Sequence, residues 1–151
     1  MANKILVASV LVFLVAGAII FFTQPQKEKD YEFSGPVETV QKYFESWNKG
    51  NWPDVYSVIS DGFKKINPTA KTLSDFRFYA EAQNVTEVEV ISIKEKSNDG
   101  KIAVIDYSVE FIFSDNTKRP FSDTFILKWR EADIIKGWKI IKPYGENADT
   151  S

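Results

Sequence analysis

Apolar side chains recur at helical intervals from the start of the polar part of the chain. Val37, Val40, Phe44 and Trp47 lie three or four residues apart, the repeat of one face of a 3.6-residue helix. Pro36 suits the first helical position, where a missing N–H costs nothing, and Gly50 suits a left-handed cap at the end. Trp52-Pro53 predicts a second helix, with Val55, Tyr56 and Ile59 on one side and Gly62 at its close. Thr72-Leu73-Ser74-Asp75 has the form of a capping box, with Asp in place of Glu or Gln. It opens a third helix carrying Leu73, Phe76 and Ala80 inward. From Val85 the repeat changes to two, and 85–96, 101–113, 119–130 and 137–144 predict four strands. Asn98-Asp99-Gly100 and Ser114-Asp115-Asn116 supply hairpin turns. Helices followed by a long antiparallel meander define an α+β domain.

Before this pattern lies one of another kind. Ile5 to Phe22 runs without a charge and with Ser9 as its one polar residue. At 1.5 Å per residue such a run is about 27 Å long, close to the roughly 30 Å hydrocarbon core of a bilayer. Two readings follow: a transmembrane anchor at 1–22, or a signal segment cleaved near Ala16-Gly17-Ala18. The apolar run continues past Ala18 through Phe22, which favours the anchor; either reading places the domain outside the cytoplasm. Residues 23–33 are polar and unpatterned, a linker. The domain is expected over 34–144 and a disordered tail over 145–151.

Composition narrows the chemistry. The chain has no cysteine and no histidine, which removes disulfides, thiolate metal sites and cysteine nucleophiles, together with the commonest general base and zinc ligand. A net charge of −2 gives no electrostatic footprint for nucleic acid. There is no phosphate-binding glycine loop and no paired-carboxylate metal motif, so neither cofactor nor metal is expected.

The strands carry the candidates. Ala103, Ile105, Tyr107, Val109, Phe111 and Phe113 share one face of the second strand, with Asp106, Ser108 and Glu110 opposite. On the third strand, Phe121, Asp123, Phe125, Leu127 and Trp129 form one row, in which Asp123 is a carboxylate among apolar neighbours. A desolvated carboxylate beside a phenol is a plausible acid–base pair; a bulge turning Asp123 to water, or a structural carboxylate on backbone donors, is the simpler explanation. Tyr56, Tyr79, Tyr107, Asp123 and Phe125 are the expected pocket residues. Lys128 and Arg130 read as a solvated row on the other sheet face, and Lys64, Lys65, Lys71 and Arg77 as a solvated basic cluster.

The helix face with Phe44 and Trp47, the Gly50-Asn51-Trp52 joint, Val55, Tyr56 and Ile59, and the Gly137-Trp138-Lys139-Ile140 start of the last strand together resemble the nuclear-transport-factor-2-like (NTF2-like, cystatin-like α+β) superfamily over about 35–144. Among its members the chain is most similar to small exported domains of unknown function of the lumazine-binding type. The resemblance implies a strongly curved sheet wrapped around helices, with a pocket at the open end. That superfamily hosts many activities, so fold alone assigns none. The expectation is a membrane-tethered extracytoplasmic domain that binds a small molecule or a protein partner. The alternatives are a pocket enzyme of isomerase or dehydratase type, with Asp123 as base and Tyr107 as donor, and a scaffold component of a membrane or secretion assembly. A homodimer through the sheet is a further expectation.

Overall fold

The computed structural model describes residues 34–151, to which every structural statement below refers; the expected anchor or signal at 5–22 and the linker at 23–33 lie outside them. Among the described residues no helix is long and apolar enough to cross a membrane.

Helix α1, Pro36–Asn48, buries Val40, Tyr43 and Phe44 and half-buries Val37 and Trp47. Its end is a complete Schellman motif: Gly50 at φ +62° donates to the Trp47 carbonyl and Asn51 to the Ser46 carbonyl, so the glycine is required for its left-handed backbone. Helix α2, Trp52–Ser57, is shorter than the sequence predicts. The chain leaves it at Val58 to form a parallel bridge, with Ile140 N–H donating to Val58 O and Ser60 N–H to Ile140 O. Ser60 then caps helix α3, Asp61–Ile66, by accepting from Phe63 N–H.

Gly62 therefore does not end a helix. It lies in the first turn of α3, where a β-carbon would collide with the Asp149 carboxylate. A short 3₁₀ turn, Pro68–Ala70, leads to helix α4, Leu73–Ala82, whose Thr72/Asp75 capping box forms as expected. Phe76 and Ala80 are buried, but Leu73 is largely exposed rather than inward.

Strands β1 Val85–Asn98, β2 Ile102–Phe113, β3 Lys118–Arg130 and β4 Gly137–Ile140 form one antiparallel sheet in the order β1-β2-β3-β4. β1 loses register against β2 at three places, between Val85 and Glu87, Val90 and Ser92, and Glu95 and Ser97. Such irregularities bend a strand and increase its twist. Near the start of β1 the Asn48 side chain clamps Val88, donating to its carbonyl at 2.9 Å and accepting from its N–H at 2.7 Å. The end of α1 is thereby fixed to the sheet. The core fills the space between α1, α2, α4 and the inner face of β2 and β3, with Val40, Val55, Phe76, Ile105, Val109 and Leu127 almost fully enclosed.

β4 stops four residues before the expected end. Ile141 N–H makes one more bond in register, to Ile126 O, and Pro143, lacking an N–H, could not have continued the ladder. The expected disordered tail at 145–151 is instead docked. Asp149 N–H donates to Ile141 O at 2.8 Å, and Arg130 donates to the Ser151 main-chain oxygen at 2.6 Å and to its hydroxyl at 2.9 Å. Lys128 Nζ adds a third bond to Ser151 O. The row read as a solvated sheet surface is the anchor for this segment.

Candidate functional site

Sequence alternation places Tyr107, Val109 and Phe111 on the inner face of β2, and the unbroken β2–β3 register sets Tyr107 opposite Asp123, Val109 opposite Phe121 and Ile105 opposite Phe125. Of these, Tyr107, Phe111, Phe121 and Phe125 floor a cavity of about 610 Å³, with Asp123 at its rim, a volume within the range of sites that take drug-sized molecules. Helix α1 supplies Tyr43, Phe44 and Trp47 to one wall, and Tyr79 and Gln83 reach in from the end of α4. The segment Lys142–Gly145 closes another side, with Tyr144 stacked on Tyr79 at 4.3 Å between ring centroids.

The lining is a continuous array of rings. Tyr107 stacks on Phe125 at 4.4 Å, Phe44 meets Tyr107 at 5.3 Å, and Tyr43 stands edge-on to Phe125 at 5.5 Å. Phe121 extends the floor outward to Phe111. Polar groups sit in two places. At the rim are Asp123, Thr124, Gln83 and Lys142, all exposed. Inside it are the phenols, those of Tyr43 and Tyr107 on residues 6% and 7% exposed and those of Tyr79 and Tyr144 on half-buried residues. Among the described residues neither the Tyr43 nor the Tyr107 hydroxyl has a hydrogen-bond partner, and neither is sealed from solvent.

Burial pushes the Tyr43 phenol far above its ordinary value, with Tyr107, Tyr144 and Tyr79 adding to it. Burial, then the Asp123 charge, does the same for Tyr107. Burial drives Tyr144 up to about 12 although its hydroxyl is bonded to Thr69. These phenols are therefore donors at any physiological pH.

Asp123 keeps its place in the Phe121–Phe125 row, and no bulge turns it away. It is nevertheless exposed, because this part of the row runs out over the cavity mouth, where Phe121 is itself 43% exposed. One of its oxygens accepts from Thr124 N–H at 2.8 Å. Tyr79, Tyr107, Asp123 and Phe125 thus converge on one cavity. Tyr56 does not: its hydroxyl donates to Ala70 O at 2.8 Å and its ring packs on Phe76, so it joins helices rather than lining the site.

Tyr43 was missed although its spacing from Val40 and Trp47 is as helical as that of Phe44. Lys142, Tyr144 and Gly145 carry no local signal, because only the docked C-terminal segment brings them to the cavity.

The fold is NTF2-like. An NTF2-like protein of unknown function from Shewanella oneidensis superposes with a TM-score of 0.50 at 13% identity, over 69% of this chain and 89% of its own. Another, from Burkholderia pseudomallei, gives 0.44 at 10% identity over 68% and 86%. No protein-family model matches the chain, and no curated protein matches it.

Proposed function

We propose that this is a binding domain for a small, mostly apolar molecule, carried outside the cytoplasm on a membrane anchor formed by residues 5–22. The observation that carries the binding reading is the open cavity itself, ring-lined, with two buried phenols that no described residue satisfies. Water can reach both hydroxyls, and a guest that displaces it has to supply their partner. An open cavity also fits a binder better than a scaffold, which has no need of one. The anchor rests on the uncharged run Ile5–Phe22.

The test of binding is to obstruct the mouth. Gln83→Trp, at an exposed rim position, should abolish binding of aromatic fragments, detected by NMR shifts of the cavity rings, while leaving the melting temperature within about 2 °C. Shifts that persist unchanged would mean the fragments bind elsewhere.

A second reading is favoured by one juxtaposition, Asp123 opposite Tyr107 across the β2–β3 ladder with both at the cavity. An enzyme using Asp123 as base and Tyr107 as donor should exchange the α-protons of a bound methyl ketone in D₂O, and Asp123→Asn should stop it. If the domain only binds, neither protein speeds the exchange.

A further inference from the structure

We infer that the guest of this cavity is an uncharged, planar ring compound that places a hydrogen-bond acceptor, such as a carbonyl oxygen, against Tyr43 and Tyr107. The inference rests on the binding reading and adds the chemistry of the guest. Tyr43 comes from α1 and Tyr107 from β2, so helix and sheet each supply one buried phenol to the lining of the same cavity. Both groups donate, and no acceptor among the described residues meets either one. A guest with an acceptor there replaces the water these hydroxyls otherwise meet; one that displaces the water without an acceptor leaves both stranded.

The remaining lining sets shape and charge. Rings of Phe44, Tyr107 and Phe125 pack on one another at 4.4–6.1 Å between centroids and form a continuous aromatic surface, on which a flat aromatic molecule makes offset or edge-on contact. No charged side chain lies at the floor; the charged groups that line the cavity, Asp123 and Lys142, are both at the exposed rim. An ionised group at the floor would lose its water with no opposite charge to replace it. Charge on the guest is therefore confined to the end that faces the mouth.

Three probes of one size separate the elements of this inference: 2-acetylnaphthalene, neutral with a carbonyl; 2-ethylnaphthalene, lacking the acceptor; and 2-naphthoate, an anion. Binding is measured calorimetrically on the full chain in detergent, with the uptake of each probe by protein-free micelles subtracted. The ketone should bind at least about tenfold more tightly than the hydrocarbon, and the naphthoate most weakly. Tyr43→Phe and Tyr107→Phe, which keep the rings, should each reduce that preference several-fold, and the double variant should remove it while still binding the hydrocarbon as wild type does. Equal binding of ketone and hydrocarbon in wild type, or a preference untouched by the Phe variants, overturns the donor pair but leaves the binding domain standing. Preference for the naphthoate overturns the uncharged guest. Failure of all three, with the cavity rings unmoved in NMR spectra, overturns the binding reading and this inference with it.

Discussion

Lys139 shows how much a single side chain can hold against its own chemistry. It lies in β4 at 4% exposure and donates from Nζ to the Ser57 carbonyl. Burial first, then nearby Lys64, lowers its pKa from 10.5 to about 8 against the opposing pull of Asp133 and Asp61. The unfolded chain keeps this proton up to pH 10.5, so between pH 8 and 10.5 the unfolded state binds more protons and stability should rise with pH. The expected gain is on the order of 1–3 kcal/mol. Above pH 10 the buried phenols work in the opposite sense, since the fold keeps them protonated after the unfolded chain has lost those protons. Thermal melts from pH 8 to 10 should therefore climb in the wild type and stay level in Lys139→Met; a flat wild-type profile would show that Lys139 is not held in this way. Among the aromatics, Phe63 is fully enclosed, and Phe63→Ala should cost about 3–5 kcal/mol. Trp47 faces the cavity and is only half-buried, packed edge-on against Trp52 at 5.2 Å. Trp47→Ala should cost clearly less than Phe63→Ala, which denaturant titration of both variants checks. The sequence marked Trp47 as apolar and helical, but whether a large ring meets protein or empty space depends on partners that local spacing does not encode.

At the scale of elements, the joint between α2 and α3 is where local and tertiary rules part. Gly62 carries the usual signal of a helix end, and helix α3 continues through it because the position is needed for a different reason. The Asp149 carboxylate sits against its backbone, and Arg130 Nη2 lies 3.8 Å from the same carboxylate. Burial raises that carboxyl, but bonds from the Ser151 hydroxyl and N–H, with the Arg130 charge, outweigh it and hold its pKa below the usual range. In an ordinary exposed helix Gly→Ala stabilises by up to about 1 kcal/mol. Here the sign should reverse: Gly62→Ala should lower the melting temperature, and adding Asp149→Ala should recover part of the loss. A stabilised Gly62→Ala protein would mean that the carboxylate does not occupy this place. Elements whose evidence is local, such as the Gly50 cap, the Thr72/Asp75 box and the period-two strands, were legible from sequence. The Val58–Ser60 bridge to β4 and the clamp of Asn48 on Val88 were not, because each joins residues far apart in the chain.

For the whole molecule, the α+β class follows from patterns that the sequence displays, a pocket was implied by the family resemblance, and the rings that floor it follow from the alternation in β2 and β3. What the sequence does not display is the wall made by Lys142–Gly145, since nothing local tells a polar segment that it will line a cavity or that Arg130 and Lys128 will fasten its far end at Ser151. The topological proposal has its own measurement. The full chain should remain in the membrane fraction through high-salt and carbonate washes, and protease added from outside should digest the domain; recovery of a soluble chain starting near Ile19 would establish the cleaved signal instead. The position of that wall has a consequence for folding. The strands of the floor precede in the chain the segment that walls it, and that segment is fastened through Ser151 to Arg130 and Lys128 of the finished sheet. The sheet therefore has to pair before its flank can be covered, and the wall is the last part of the site to form.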